Sequence, residues 1–540
     1  MKKYIITKVV SILGLIVAGT SYAQSNENYV QSITCLTHDC TKTSQTITYF
    51  DGLGRAKQLI NVKATPTGKD LVTAVTYDGF GRQAKNILPV PVATQNSNIH
   101  SGITNEATAN SYYGVSNAYA EQEIENSPLD RVLQQAQAGE AWKLSSGHTK
   151  KFKYEANTAN EVKKFVVTTS IITANNVSGT SSSLKVSSEN SGYYPAGVLY
   201  KNTVSDEDGS PVIQFQNGNG QTLLIRKTDG TQNIDTYYAY NEYNQLAYII
   251  PPKAVQQIEQ GGNIVTTIIL QDLCYQYNYD GRNREVEKKL PGKDWEFTVY
   301  DKQDRPVLSQ DGYLRTTTNH FGSRGWIFTK YDEFGRVVYT GFFSNTATRR
   351  VMQSALNSMS ANAYNNEKRS TSSFNQQGIN VYYDKQAFPT GSMTLLSVNY
   401  YDTYPPEAPA VPTTILGQYT LPQTLGANDD ASTNSLQTAS YMKNIEDNNW
   451  TKTYNYYDSM GRLISTNTIN HLGGYTNKEF KLGFTGQTDE SYTAHKRRAT
   501  DAEVKVKERF VYDNQNRLLK QYHQVDTNTE ELLAENTYNE

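Results

Sequence analysis

The sequence predicts a mainly β protein built from repeated antiparallel β-hairpins, with minor helix. Three observations predict it. The first is composition. Across 540 residues there are 40 Tyr against 16 Phe and 4 Trp, and only 19% of residues are charged, below the usual ~25%. Tyr and Thr suit a half-buried pleated face, and Asn, Ser and Gly suit turns. A helical bundle would need more Ala, Leu, Glu and Lys. The second is a six-residue pattern that recurs along the chain: an aromatic, Asp or Asn, two free positions, Gly, Asn or Asp, then Arg. The third is period-two alternation on its flanks, as at Tyr454 and Tyr456 before one copy and Val337 and Tyr339 after another.

From the N-terminus, residues 1–23 read as a secretory signal. Lys2, Lys3 and Lys8 charge its start, Val9–Ala18 is apolar but too short to span a membrane, and Ser21-Tyr22-Ala23 is a small-x-small cleavage site. The reading is export from a bacterium to the envelope or beyond, with no membrane span afterwards. Cys35 and Cys40, five apart, can bridge in an oxidising compartment. The alternative is a redox or metal pair, and the lack of a matching second pair disfavours metal. Three Cys in all exclude a disulfide framework.

The repeat follows. Clean copies carry Asp51, Gly54 and Arg55; Asp78, Gly81 and Arg82; Asp332, Gly335 and Arg336; and Asp458, Gly461 and Arg462. Variants carry Asp280, Asn283 and Arg284; Asp301, Asp304 and Arg305; and Asp513, Asn516 and Arg517. Another, Tyr240–Gln245, loses the Arg. Asp206–Gly209 and Asn217–Gln221 read as eroded turns of the same kind. Asp or Asn favours the first position of a type I turn, where its side chain accepts backbone amide hydrogen bonds. A left-handed residue then makes the bulge that restores hairpin twist, and Gly, Asn and Asp tolerate that conformation. Each copy is therefore a hairpin, its Arg placed to pair with the turn Asp or to stack on a neighbouring Tyr. So many similar copies are structural turns, not active sites. Between Arg336 and Tyr457, Tyr382-Tyr383-Asp384 and Tyr400-Tyr401-Asp402 read as degenerate copies, and Ala347–Ala363 as an inserted helix.

These residues carry a family likeness. Tyr-Asp-x-x-Gly-Arg resembles the YD repeat of Rhs (rearrangement hotspot) proteins and of insecticidal toxin-complex shells. Residues 49–58 (YFDGLGRAKQ), 125–142 (ENSPLDRVLQQAQAGEAW) and 237–252 (YYAYNEYNQLAYIIPP) are similar to a domain of unknown function that opens many Rhs-type proteins of the Bacteroidetes. The likeness covers most of the chain after residue 23, more weakly from about 340 to 450. It implies a continuous spiralling sheet forming part of a hollow YD-repeat shell, which in the family often encloses a variable C-terminal toxin. It also implies a division into a leader domain at 24–200, YD-repeat sheet at 201–340, an insertion at 341–450 and further YD-repeat sheet at 451–540. The family's Asp-Pro self-cleavage motif has no counterpart in this sequence. Tyr538-Asn539-Glu540 looks like the opening of another repeat, so the chain reads as an N-terminal fragment.

Function classes narrow accordingly. Net charge is −2, which makes no electrostatic case for nucleic acid. No His-Glu-x-x-His, Gly-x-Ser-x-Gly or Walker loop occurs. The expectation is a secreted, non-enzymatic scaffold with no cofactor and no metal. Its partner is a C-terminal cargo segment, or another chain at an open sheet edge. The alternative is a surface carbohydrate-binding or adhesion module using Tyr and Trp rows, with Trp142, Trp295 and Trp326 as sugar platforms.

Overall fold

A computed structural model describes residues 27–93, 98–230, 232–426 and 431–539. Residues 1–23, expected from the sequence to be a secretory signal, lie outside them. Where Tyr, Thr and Val alternate with polar residues, the chain forms strands, and about two thirds of those described join one sheet. Its 24 strands curve round as a barrel. Paired registers run without a break from Lys85–Ile87 to Glu531–Glu535, every pairing antiparallel. No register joins those two strands to each other among the described residues. A separate five-stranded sheet, Asn28–Cys35 through Val90–Val92, precedes it. This first sheet meets the far end of the large one: Lys42 Nζ donates to Asn516 Oδ1 at 2.6 Å, and the His38 ring stands edge-on to Phe484.

Alternation places one side of the pleat in a core. Along Met393–Tyr401, residues 393, 395, 398 and 400 are buried. The shift of phase after Leu395 coincides with a bulge opposite Thr340 and Gly341, which keeps the apolar residues on one face. A Cβ at Gly341 would collide with the Thr394 carbonyl and the Phe328 ring, so glycine permits that close strand approach.

Three cores form where excursions from the sheet fold back on it. In the first sheet, Ile47, Tyr49, Ile60 and Val72 pack with Ala109 of helix α1 (Glu106–Tyr113). Phe215, Leu224, Tyr237 and Tyr248 pack beneath helices α2 (Pro252–Gln260) and α3 (Thr267–Leu273) and the ribbon Phe165–Ala174/Val177–Val186. Trp326, Phe328, Tyr339, Tyr400 and Tyr441 pack beneath helix α4 (Arg349–Asn357) and the ribbon Arg369–Gln376/Ile379–Tyr383. The helix expected at 347–363 is therefore shorter, and three others were not foreseen. α1 and α3 are brief. α2 starts at Pro252, just after a strand, so its opening reads as strand end and turn. Tyr382-Tyr383-Asp384 is not a turn of the main sheet. It ends the second ribbon strand, and the Asp384 amide donates to Lys368 O at 3.0 Å.

A buried ion pair fastens this third excursion. Lys330 Nζ donates to Glu367 Oε1 at 2.9 Å and to Ala387 O at 2.7 Å, while Tyr339 Oη donates to the same carboxylate oxygen at 2.7 Å. Burial lowers the Lys330 pKa and raises that of Glu367.

Beyond Ile469 the sheet changes character. Strands Gly473–Leu482, Thr488–Arg498, Val504–Tyr512 and Leu518–Val525 are half-buried along most of their length, and only their Leu482 packs against one of the three cores. Total accessible surface is 30203 Å². A compact globule of 60.6 kDa exposes about 20,000 Å². Even fully extended, the 36 residues outside the described ones would add only about 6,000 Å². The excess is what a wall exposed on two sides contributes.

Candidate functional site: a ladder of linked turns

The turns have one geometry. In the first, the Asp51 amide donates to Arg55 O at 2.8 Å and the Gly54 amide to Asp51 O at 3.0 Å. Asp51 Oδ1 accepts from the Leu53 and Arg55 amides, both at 2.9 Å, and Oδ2 accepts from Arg55 Nε at 2.9 Å. The same set of bonds recurs at Asp78 with Arg82, Asp280 with Arg284, Asp301 with Arg305, Asp332 with Arg336, Asp458 with Arg462 and Asp513 with Arg517. The residue before the Arg has positive φ throughout, 77° at Gly54, 64° at Asn283, 63° at Asp304 and 58° at Asn516. The strand register slips one residue beside each full hairpin, as between Lys330 and Tyr331. Hydrogen bonds lower the carboxyl pKa of Asp51 and Asp78, the largest coming from the Arg55 and Arg82 backbone amides respectively.

Spacing alone did not reveal what the Arg and Tyr do next. Sequence reading paired the Arg either with its own Asp or with a Tyr. In five of the seven units it does both, and the Tyr belongs to the following unit; Arg82 instead lies over Phe80 of its own turn, and Arg462 reaches the Gly483 and Phe484 carbonyls. The Arg305 guanidinium lies 4.7 Å over the Tyr331 ring, and its Nη1 donates to Asp332 O at 3.0 Å. The Tyr331 hydroxyl returns to Pro306 O, the residue after that Arg, at 2.8 Å. Arg284 repeats this on Tyr300 and Asp301 O, with the Tyr300 hydroxyl on Glu285 O. Arg55 stacks on Tyr77, whose hydroxyl reaches Ala56 O. Arg336 stacks on Tyr401 and forks onto both Asp402 oxygens at 2.9 and 2.8 Å. Arg517 lies 5.1 Å over Tyr538, whose hydroxyl reaches Leu518 O. The repeating element is thus, in most units, a clamp across the junction, placed along one rim because alternate connections of an antiparallel ladder fall on the same side.

Further units share the clamp without the sequence signature. Glu125 and Arg131 bracket a longer turn, with Arg131 over Tyr154 at 4.7 Å and the Tyr154 hydroxyl on Val132 O. Two Arg131 hydrogen bonds are the main cause that holds the Glu125 pKa at about 2. Gly483 and Gln487 close a turn between Asp458 and Asp513, and the Tyr512 hydroxyl reaches Thr488 O. Its one visible signal was a separation of 55 residues, twice the usual. Tyr401-Asp402 keeps its place too, but its turn is split. The Asp402 amide donates to Leu436 O at 2.9 Å, and Asp402 Oδ1 accepts from the Ser435 amide at 2.7 Å. Asn217–Gln221 and Asn241–Gln245 are turns on this rim, with Gln in place of Arg, whereas Asp206–Ser210 closes at the opposite rim.

Other sequence candidates resolve simply. Cys35 and Cys40 form a disulfide. Cys274 is buried, which pushes its thiol up to about 12. Trp326 is fully buried, so it cannot serve as a sugar platform; its ring fills the third core.

Comparison with known proteins adds the following. The family model DUF6443, a domain of unknown function, matches residues 22–156. No curated protein matches the chain significantly. Among solved structures, TcdB2-TccC3 without its hypervariable C-terminal region is similar at 10% identity with a TM-score of 0.43, covering 92% of this chain and 21% of that one. TcdB2-TccC3-Cdc42 is similar at 10% identity and 0.43, covering 92% and 22%. The Photorhabdus luminescens Tc holotoxin pore is similar at 10% and 0.42, covering 92% and 21%. The chain thus spans about a fifth of the length of these structures.

Proposed function

We propose that this chain is a wall section of a hollow, non-enzymatic β-shell of Rhs/YD-repeat type, exported from the cell, that encloses or presents a C-terminal effector segment. The observation that carries the reading is the surface excess, which remains about a third above a compact globule's surface even when the residues outside the described ones are counted as fully extended. A 24-strand curved sheet is also wider than side chains can fill, since eight strands already reach that limit and sheets of 16 or more hold a lumen. The clamps fit the role. They brace the wall at its rim, so the strands beyond Ile469 need little apolar packing and can stay wet.

The five residues of strand Glu531–Glu535 are all exposed, and it pairs only with Leu518–Val525 among the described residues. Such an edge is where a further strand, from the cargo-bearing continuation or another chain, would add.

Small-angle scattering of the purified chain after position 23 tests the reading. A solid fold of about 520 residues has a radius of gyration of about 24 Å. The shell section is expected to give a clearly larger value in a monomeric sample. A monomer at about 24 Å would refute it.

A further inference from the structure

A cavity of about 350 Å³ lies where helix α4 meets the sheet, and its wall carries Arg315, Arg324, Arg349 and Arg350 against a single carboxylate, Glu287. Four guanidiniums in one cavity repel each other, and arginine does not shed its proton in proteins. Only one is paired closely. Arg349 Nε donates to Glu287 Oε1 at 2.9 Å. Arg349 is 3% exposed, yet its Nη1 and Nη2 have no hydrogen-bond partner, and neither do the buried Arg315 Nη1 and Arg350 Nε. Arg315 approaches Asp294 only to 3.9 Å and lies over the Phe297 ring at 4.8 Å. The start of α4 adds to the same sign. Thr346, Ala347 and Thr348 line the cavity, and Thr348 makes no side-chain cap, so the positive end of the helix dipole stands at its wall.

Buried donors without acceptors are costly, more so when charged. This cluster is unlike the other arginines of the fold. Those of the clamp are saturated by Asp, carbonyl and Tyr partners, whereas these present spare forks to a space large enough for a small ligand. We infer that the cavity is an anion-binding site for a small ligand bearing a tetrahedral oxyanion, a phosphate or sulfate monoester. Arginine forks match the oxygens of such groups two at a time. One dianion would offset most of the cavity's net positive charge. Phe297 and the Ala347 methyl leave an apolar wall for the ester's organic part. The inference stands apart from whether the sheet encloses a cargo.

Isothermal titration of the purified chain with inorganic phosphate, and separately with sulfate, tests it at low chloride and pH 8. Saturable one-site binding is expected for at least one of them, and the stronger of the two indicates which ester the site takes. The double variant Arg324→Gln/Arg350→Gln, neither residue having an ion pair among the described residues, is expected to weaken binding about tenfold or more. Arg349→Lys keeps the charge and loses the fork, so it should weaken binding as well, with the circular dichroism spectrum of the parent. No saturable binding of either anion up to about 10 mM, where even a weak site would register, would overturn the assignment. Undiminished binding in the double variant would do the same, as would binding of malonate or an acidic peptide in the absence of phosphate and sulfate binding.

Discussion

Arg305 is the most heavily engaged clamp residue, and its removal tests the ladder directly. Its side chain is 12% exposed and that of Asp301 1%. Replacing it by Met keeps most of the aliphatic stem and removes every polar contact. Asp301 Oδ1 retains the Gln303 and Arg305 backbone amides, but Oδ2 loses its Nε and Nη2 partners. The Asp332 and Tyr364 carbonyls lose a charged donor each, at 3.0 and 2.9 Å, and Tyr331 loses its cation. Stranding one partner of a buried pair costs about 3–5 kcal/mol, and each abandoned carbonyl adds up to about 1 kcal/mol where water cannot reach it. We expect Arg305→Met to destabilise by about 4 kcal/mol. Urea unfolding read by tryptophan fluorescence measures it, since Trp326 and Trp295 lie on strands flanking this junction. Asp301→Asn and the double variant close a thermodynamic cycle, with a coupling of at least about 2 kcal/mol expected. A loss below about 1 kcal/mol, or strict additivity, would refute the clamp as a stabilising unit.

Three further outcomes are expected. Tyr331→Phe keeps the stack but loses the hydrogen bond to Pro306, so it should cost about 1 kcal/mol; no change in the urea midpoint would count against the junction bond. Glu125 is depressed from 4.5 to about 2 by Arg131. Its stabilisation is therefore complete above pH 4.5 and lost as pH falls towards 2, and Arg131→Gln should move the onset of acid unfolding upwards in near-ultraviolet dichroism. An unmoved onset would dismiss that pair. Lys330→Met should cost about 3–5 kcal/mol by stranding the Glu367 carboxylate, and adding Glu367→Leu should restore much of it; a single variant as stable as the parent would refute the fastening role of the pair.

Local rules were legible in the sequence because they act within six residues. Asp51, the left-handed position at Gly54 and its replacement by Asn283 or Asp304 follow from turn chemistry alone. The β class followed from the Tyr excess and alternation. What the Arg and Tyr do across a junction was hidden, since Arg305 and Tyr331 are separated by a loop of variable length. The split turn at Asp402 kept its Tyr-Asp but surrendered its Gly-Arg to a distant Ser435-Leu436. The Gly483 unit lost both Asp and Arg and survives on backbone geometry. Helix α2 follows a strand directly and shares its apolar residues, so no change of period marked its start. The four arginines of the cavity come from three separate places in the chain, Arg315, Arg324 and Arg349-Arg350, none of which is distinctive alone.

The direction of the clamps has a kinetic consequence. In most units the Arg waits for the Tyr of the next, whose hydroxyl closes on the carbonyl of the residue after that Arg. Most pairings join strands that follow one another in sequence, and the others only step over a local excursion. Large β-sheets usually form slowly, because distant strands must meet before any contact rewards the loop closure. Here most closures span a short loop, and the entropy of the few longer ones grows only slowly with length. A chain made from its N-terminus could therefore add one locked hairpin at a time, as a zip fastener does. The late event is then the meeting of Lys42 with Asn516, the contact that crosses nearly the whole sequence.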